Sequence, residues 1–227
     1  MRIAVIIPAL NEEDAIGIVV GEVPRDLVSE ILVVDNGSID RTVEVARAAG
    51  ARVIREPVHG YGAACLAGAM AAGDADILVF MDGDRSDDPA ELPAILRPVL
   101  EGQADLTIGA RVPDRTQAGA LPPQQRIGNR VVIWMLRLLF GVSLADIGSF
   151  RAIRAECFRA LRMEHKTYGW PVEMIVKAAR NGQRIVGIPI SYRKRIGRSK
   201  VGGTLKGSLL AGYHLLSTTL RYAWKKR

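Results

Sequence analysis

Short apolar runs rich in β-branched residues recur along the first half of the chain, and stretches with helical spacing separate them. The runs predict strands at 3–7, 30–34, 52–54, 77–81 and 105–108. Helices are expected at 41–49, after Asp40, and at 90–100, after Asp88-Pro89. This alternation is typical of βα units on a largely parallel sheet, and neither an internal repeat nor a long linker interrupts it. The pattern therefore predicts one α/β domain.

Polar loops follow the first, second and fourth predicted strands, at 8–13, 35–40 and 82–84. Open α/β sheets bind ligands beyond the carboxyl ends of their strands, so these loops are expected to meet at one site. Carboxylates and amides of the first two can accept hydrogen bonds from a base and a ribose, whereas Asp82 and Asp84 can hold Mg²⁺ or Mn²⁺ over a diphosphate. The alternative is a solvated acidic turn at 82–84 and an Asx turn with a helix cap at 35–40.

A glycine-containing loop at 59–64 leads into a further helical stretch. Backbone N–H groups at such a helix entry can approach a phosphate or a sugar. The alternative is a flexible turn in which Tyr61 covers the core. The sequence leaves both interpretations open.

Charge is distributed unevenly along the 227 residues, whose net charge is +7. The first hundred residues are acidic or balanced, whereas the region after Arg111 is strongly basic, which indicates an anionic partner. No recognition helix, zinc finger or aromatic RNA-binding signature is present, so phosphate groups or an anionic membrane surface fit better than nucleic acid. Cys65 and Cys157 have neither metal-ligand nor disulfide spacing, which is typical of a reducing cytoplasm.

Two stretches of the basic half are amphipathic. At 126–140, Arg126, Arg130 and Arg137 fall in one stripe of a predicted helix whose other positions are mostly apolar. This helix is too short to span a bilayer and is expected to lie at a membrane interface; the alternative is a core helix with paired arginines. The second stretch, 204–227, is expected to bind an anionic membrane, to form a dimer contact or to pack on the domain.

Nine segments in a fixed order resemble one family: 8–12, 33–38, 60–63, 81–84, 87–89, 109–111, 146–151, Glu173 and 195–200. On these segments the sequence resembles the family 2 glycosyltransferases of the GT-A fold, and within them the polyprenyl-phosphate sugar synthases, which include dolichol-phosphate mannose synthase. The resemblance implies a Rossmann-like α/β fold of GT-A type, with a mostly parallel central sheet flanked by helices. It also implies a catalytic domain at 1–203 and a C-terminal amphipathic basic helix at 204–227.

The resemblance further implies an inverting, metal-dependent enzyme that moves a hexose from a nucleotide diphosphate sugar to a polyprenyl phosphate. The implied catalytic residues are Asp82, Asp84, Asp146 and Arg195, with Mg²⁺ or Mn²⁺ on Asp82 and Asp84. The implied donor-binding residues are Pro8, Ala9, Asn11, Glu12, Asp35, Asn36, Gly62, Asp82, Gly83 and Asp84. The implied acceptor-phosphate residues are Arg111, Arg126, Arg195, Ser199 and Lys200.

Three positions depart from the family pattern. Asn36 stands where an acid is common, Gly83 where alanine is common, and Leu10 where an aromatic residue is common. All three belong to the expected nucleotide pocket, so a UDP-sugar and a GDP-sugar both remain open.

The sequence also leaves open the roles of two acids, Asp146 and Glu173. Asp146 orients an arginine or the acceptor, or acts as a base, and Glu173 either belongs to the site or caps a helix.

The acceptor determines whether a base is needed. A phosphomonoester, with a second pKa of about 6, already carries a negative charge and attacks without losing a proton to the protein. The basic run 193–200 is expected to close over the phosphates, or to be a solvated surface loop. Alternative functions are a soluble transferase with a hydroxyl acceptor and a non-catalytic sugar-nucleotide binder. The expected location is the cytoplasm, peripherally on the inner face of the cell membrane, with a homo-oligomer left open.

Overall fold

The computed structural model describes residues 1–197 and 216–223, which build a seven-stranded sheet between two layers of helices. The strands are β1 Ile3–Ala9, β2 Glu30–Asp35, β3 Arg52–Arg55, β4 Ile77–Phe80, β5 Leu106–Thr116, β6 Arg151–Arg154 and β7 Ile185–Tyr192. Their order across the sheet is β3-β2-β1-β4-β6-β5-β7. Strands β1 to β4 are parallel, β6 runs antiparallel between β4 and β5, and β7 is parallel to β5. The mostly parallel α/β sheet is confirmed.

Seven helices and one C-terminal helical segment are described. They are α1 Ile16–Glu22, α2 Thr42–Ala48, α3 Tyr61–Ala71, α4 Leu92–Leu100, α5 Pro123–Phe140, α6 Ala155–Leu161, α7 Trp170–Arg180 and α8 at 216–223. A 3-10 turn, Pro89–Glu91, precedes α4, and Asp88 caps it by accepting from the backbone N–H of Ala90. The predicted helices at 41–49, 90–100 and 126–140 are therefore present, with ends shifted by a few residues.

Alternation along the strands divides the core into two layers, because successive side chains of a strand point to opposite faces. Ile6 and Phe80 point to the face covered by α3, α5, α6 and α7. Ile7 and Val79 point to the opposite face, where α1 and α4 pack. The strands thus read as continuous apolar runs, as expected for a sheet that is buried on both faces.

Strands β6 and β7 were not predicted, and β5 continues eight residues beyond the predicted end at 108. Strand β6 contains Arg151, whose side chain is fully buried, so its apolar pattern is interrupted by a charge. Strand β7 contains Gly187 and Pro189, residues that weaken a strand pattern. Proline is tolerated in this strand because β7 lies at the edge of the sheet.

Helix α5 exposes most of its apolar side chains. Ile127, Trp134 and Leu138 are 63%, 63% and 66% exposed, whereas Val132 and Leu136 are buried. The three arginines of the predicted stripe are exposed as well, so α5 is not the helix buried under the sheet that the alternative required. Within the described residues, no helix has both the length and the apolar character needed to cross a membrane.

The predicted C-terminal helix at 204–227 is described only over 216–223, which is helical. The expected domain boundary at 203, and Leu205, Leu209 and Tyr213 of the predicted apolar stripe, lie outside the described residues. Within the described part, Thr218, Thr219 and Tyr222 are buried against the domain. This segment of the predicted helix therefore packs on the protein.

Two helical glycines with opposite surroundings test the packing of the sheet. A Cβ at Gly68 of α3 would overlap Cγ2 of Ile6 and lie 2.9 Å from Cγ2 of Val34, whereas a Cβ at Gly21 of α1 would meet nothing within 4 Å. Gly68→Ala should lower the free energy of unfolding by about 1–3 kcal/mol because of overpacking. Gly21→Ala should raise it by up to about 1 kcal/mol through helix propensity. Urea titrations of both variants measure the difference, and a neutral Gly68→Ala would contradict the close packing of α3 on β1.

Candidate active site

The carboxyl ends of β1, β2 and β4 surround a cavity of about 360 Å³. Eight of the residues implied by the resemblance line it: Pro8, Ala9, Glu12, Asn36, Asp82, Gly83, Asp84 and Arg195. The remaining lining residues are Leu10, His59, Gly60, Tyr61, Ala64, Thr167 and Tyr168. The strand-end loops therefore meet at one site, as the order of the predicted strands indicated.

Three carboxylates crowd together at the end of β4. Asp82 accepts a hydrogen bond from the Tyr61 hydroxyl at 3.2 Å, and its backbone N–H donates to Asp87 Oδ2 at 3.1 Å. Asp84 Oδ1 accepts from the backbone N–H of Ser86 at 2.9 Å. Burial raises the pKa of Asp82 above its ordinary value, and the charges of Asp87 and Asp84 raise it further. Simultaneous ionisation of all three carboxylates is therefore unfavourable unless a positive charge joins the cluster.

Asp87 is a member of this cluster to which sequence reasoning gave no role. Its Oδ2 accepts from the Ser149 hydroxyl at 2.9 Å, while its Oδ1 is buried without a hydrogen-bond partner among the described residues. Burial raises the pKa of Asp87, and the charge of Asp84 acts in the same direction. In the sequence, Asp87 lies in the acidic segment 82–88 and in the family segment 87–89, neither of which assigned it a role.

Oxygen ligands of this kind fit a divalent cation such as Mg²⁺ or Mn²⁺. In the described ranges 1–197 and 216–223, no group of three His, Cys, Asp or Glu side chains could hold a metal ion. Mg²⁺ is commonly bound through one or two carboxylates together with substrate phosphates, so two protein ligands suffice when a diphosphate supplies the others. Asp82 and Asp84, which both line the cavity, fit that arrangement.

Arg195 connects the first and third loops of the site. Its Nη2 lies 3.2 Å from Glu12 Oε1 and 3.1 Å from Asp84 Oδ2. The backbone holds it there, because the N–H of Ile196 donates to the Asp84 carbonyl at 2.9 Å and that of Arg193 donates to Ser86 at 2.9 Å. The described part of the basic run 193–200 thus packs on the acidic loop, and Ser199 and Lys200 lie outside the described residues.

Asn36 braces a neighbouring loop at the cavity wall. Its Nδ2 donates to the carbonyls of Glu56 and Val58 at 3.0 and 2.9 Å, and its Oδ1 accepts from the N–H of Gly60 at 2.7 Å. An acid at this position, which is common in the family, has no N–H to donate to the two carbonyls. The departure at Asn36 therefore coincides with a hydrogen-bonding role within the protein.

Two other residues implied as donor ligands accept hydrogen bonds from the backbone of the second loop. Asp35 Oδ1 accepts from the N–H of Ser38 at 3.0 Å, as in the Asx-turn alternative. Asn11 Oδ1 accepts from the N–H of Ile39 at 2.8 Å, and Asn11 itself has a positive φ of 52°. Neither side chain lines the cavity. Their contribution to the donor site stays a prediction, and the visible role of both is to fix the loops.

The glycine-containing loop 59–64 packs against the segment 165–168. The N–H of Ala63 donates to the Lys166 carbonyl at 3.0 Å, and a Cβ at Gly62 would overlap the His165 carbonyl. Gly62, implied as a donor ligand, therefore allows two stretches of backbone to approach and does not line the cavity. Thr167 and Tyr168 do line it, although no motif in the sequence marked them.

Asp146 is engaged by Arg111. The guanidinium forms a two-pronged ion pair with the carboxylate, including a 2.9 Å contact from Nη2 to Oδ1, and Asn129 Nδ2 donates to the same Oδ1 at 2.8 Å. Burial alone would raise the pKa of Asp146, but the hydrogen bonds and charge of Arg111 hold it below its ordinary value. Of the three predicted roles for Asp146, orienting an arginine is the one this geometry matches.

The predicted phosphate-binding arginines occupy different environments. Arg111 is buried beside Asp146, with its guanidinium 4.9 Å from the centre of the Tyr192 ring, and it does not line the cavity. Arg126 is exposed on α5 and does not line the cavity either. Arg195 alone of the three lines it. The structure therefore brings Arg195, but not Arg126, together with the paired acids.

Curated proteins similar to this chain include a mannosyltransferase and a hexose transferase. An undecaprenyl-phosphate mannosyltransferase of Micrococcus luteus is 35% identical over 226 residues, covering 91% of this chain and 90% of that protein. A dolichyl-phosphate hexose transferase of Haloferax volcanii is 35% identical over 202 residues, covering 88% and 86% of the two chains. The similarity in both cases extends across nearly the whole of each protein.

A solved structure has the same fold. Glucosyl-3-phosphoglycerate synthase of Mycobacterium tuberculosis, crystallised with Mn²⁺, UDP-glucose and phosphoglyceric acid, superposes with a TM-score of 0.82 at 25% identity. The match covers 100% of this chain and 81% of that one. The sequence profile described as Glycosyl transferase family 2 matches residues 4–165. With its parallel sheet, its strand-end acids and these relatives, the chain belongs to glycosyl transferase family 2.

Proposed function

We propose that this glycosyltransferase moves a hexose from a nucleoside diphosphate sugar to a polyprenyl phosphate at an anionic membrane surface. The observation that carries the choice of acceptor is the engagement of Asp146. Asp146, the candidate base, is ion-paired with Arg111. Burial raises the pKa of Asp146, but the hydrogen bonds and charge of Arg111 outweigh burial and lower it. An acceptor that brings its own negative charge needs no such base.

The donor side rests on the paired acids. Asp82 and Asp84 hold a divalent cation, which supplies positive charge to the departing nucleoside diphosphate when bound. The structurally similar glucosyl-3-phosphoglycerate synthase was crystallised with Mn²⁺ and UDP-glucose, which supports this assignment. Pro8, Ala9 and Glu12 line the same cavity and are proposed to contact the nucleoside.

The acceptor side rests on charge. A phosphate oxygen forms the bond to the anomeric carbon as the bond to the nucleoside diphosphate breaks, and this single displacement inverts the configuration. Arg195 lines the cavity next to Asp84 and is proposed to bind a phosphate there. The names of the bacterial and archaeal relatives, an undecaprenyl-phosphate mannosyltransferase and a dolichyl-phosphate hexose transferase, support a lipid phosphate.

Membrane attachment is proposed to use the exposed face of α5. Ile127, Trp134 and Leu138 lie at helical spacing and are each more than 60% exposed. Arg126, Arg130 and Arg137 are exposed on the same helix. An apolar stripe beside cationic side chains is the composition of helices that lie in the interface of an anionic membrane. Such a placement would bring the enzyme to its lipid acceptor.

A transfer assay tests the acceptor. The purified protein is incubated with Mn²⁺, radiolabelled UDP- or GDP-sugars, and either undecaprenyl phosphate or 3-phosphoglycerate. Label that enters the organic phase only when the lipid phosphate is present is the expected result. Label that appears only on 3-phosphoglycerate would instead favour the activity named for the structural relative and would overturn the lipid acceptor.

Removal of one paired acid tests the cation site. Asp84→Asn should lower transfer by at least about a hundredfold, because the charge that holds the cation against the diphosphate is halved. Calorimetry of Mn²⁺ with UDP or GDP should show a matching loss of binding. Asp74→Asn is the control, since Asp74 is 75% exposed and pairs only with Arg2 in the described structure. Unchanged Mn²⁺ affinity in Asp84→Asn would remove this residue from the cation site.

Loss of the apolar anchor tests the membrane surface. Trp134→Gln combined with Leu138→Gln should reduce binding to vesicles containing phosphatidylglycerol by about tenfold or more, because buried apolar area and basic charge together drive interfacial binding. Cosedimentation measures the bound fraction. Met70→Gln is the control, since Met70 is 76% exposed on a different helix, α3. Equal binding of the double variant and the control would exclude α5 as the attachment surface.

A further inference from the structure

A buried carboxylate on α7 accepts hydrogen bonds from the backbone of the segment that leads to the cavity wall. Glu173 has no exposed surface, its Oε1 accepts from the N–H of Glu164 at 3.0 Å, and its Oε2 accepts from that of His165 at 2.8 Å. Lys177 Nζ lies 2.8 Å from Oε1. These N–H groups belong to the segment before α7, so the side chain of Glu173 binds that segment and not the first turn of its own helix.

The same carboxylate is contacted by the C-terminal segment α8. The Tyr222 hydroxyl donates to Glu173 Oε1 at 2.7 Å, and Lys177 Nζ lies 5.5 Å from the centre of the Tyr222 ring. Arg180 donates to the backbone carbonyl of Tyr222. Tyr222 is 4% exposed, so the hydrogen bond is shielded from water. Three side chains of α7 therefore fix one residue of α8.

The segment that Glu173 holds reaches the donor cavity within three residues. Thr167 and Tyr168 line the cavity, and the Lys166 carbonyl accepts from the N–H of Ala63 at the start of α3. Tyr61, in the same first turn of α3, donates to Asp82. A continuous path of contacts thus leads from α8 through Glu173 to the cavity wall and to one of the paired acids.

The ionised state of Glu173 strengthens these hydrogen bonds. Burial raises its pKa, but hydrogen bonds from Lys177 and Tyr222 and from the two backbone N–H groups outweigh burial and lower it below the ordinary value. An ionised acceptor forms shorter and stronger hydrogen bonds than a neutral one. The carboxylate can therefore accept hydrogen bonds from backbone and side-chain donors at once while it is fully buried.

We propose that Glu173 is a positioning residue of the donor site, and that α8, through Tyr222, takes part in fixing the 164–168 wall against which the nucleotide binds. The identity of the ligand as a nucleotide rests on the proposed function. The coupling of α8 to the 164–168 wall through Glu173 does not depend on that function. Glu173 acts through the backbone of 164–165, and Tyr222 acts through Glu173.

Tyr222→Phe is the mildest test, because it removes one hydroxyl and keeps the ring. Hydrogen exchange of peptides covering 163–169 should become faster than in the unaltered protein. The dissociation constant for UDP or GDP, measured with Mn²⁺, should rise by about fivefold, the effect of one hydrogen bond. In the transfer assay KM for the donor should rise while kcat changes less than twofold. Arg221→Gln, an exposed change on the same segment, is the control.

Glu173→Gln tests the carboxylate itself. The side chain keeps its shape but loses its charge, so exchange at 163–169 and nucleotide affinity should change in the same direction as in Tyr222→Phe and by a larger factor. Unaltered exchange at 163–169 in Tyr222→Phe would overturn the coupling. Faster exchange with unchanged nucleotide affinity would overturn the positioning role. If the unaltered protein binds neither UDP nor GDP, the proposed donor fails, whereas the exchange data still decide whether α8 fixes this wall.

Discussion

Mutual repulsion of carboxylates at the end of β4 is the constraint around which the site is arranged. Asp82, Asp84 and Asp87 lie within one loop, and burial together with their mutual charge raises the pKa of Asp82 and Asp87. Each neighbouring element supplies a group that offsets part of this charge: the Tyr61 hydroxyl, the Ser149 hydroxyl and the Arg195 guanidinium. A divalent cation would supply the remaining positive charge, so the acids form the centre of the proposed donor site.

Site residues that directly follow an apolar strand pattern could be predicted from the sequence. Asp82, Gly83 and Asp84 follow a buried strand, and parallel strands place such loops at one edge of the sheet. The wall at 164–168 could not be predicted in this way, because its place depends on Glu173, a residue on a helix that begins two residues after the segment ends. The position of this wall follows from tertiary contacts, and no sequence motif marks it.

The polar residues of the donor loops show that side-chain type alone overestimates the number of ligand-binding residues. Asn11, Asp35 and Asn36 were all suited to a nucleoside, yet the visible hydrogen bonds of their side chains go to backbone groups of their own or neighbouring loops. Amides and carboxylates are equally suited to bracing turns, since they replace backbone partners that irregular segments lack. A sequence cannot distinguish the two uses, because both require the same groups at the same loop.

The basic half of the chain is connected to the acids through specific contacts. Asn129 of α5 donates to Asp146, Asp146 pairs with Arg111, and the charge of Arg111 lowers the pKa of Asp87 against the larger effect of burial. A second connection runs through Arg195 and the backbone of Ile196 to Asp84. Two side chains, Asp146 and Arg111, therefore stand between Asn129 of α5 and the carboxylate cluster, and the last link, from Arg111 to Asp87, is electrostatic. For a transferase that takes its acceptor from a lipid surface, this is the arrangement that allows membrane contact and donor chemistry to share one set of residues.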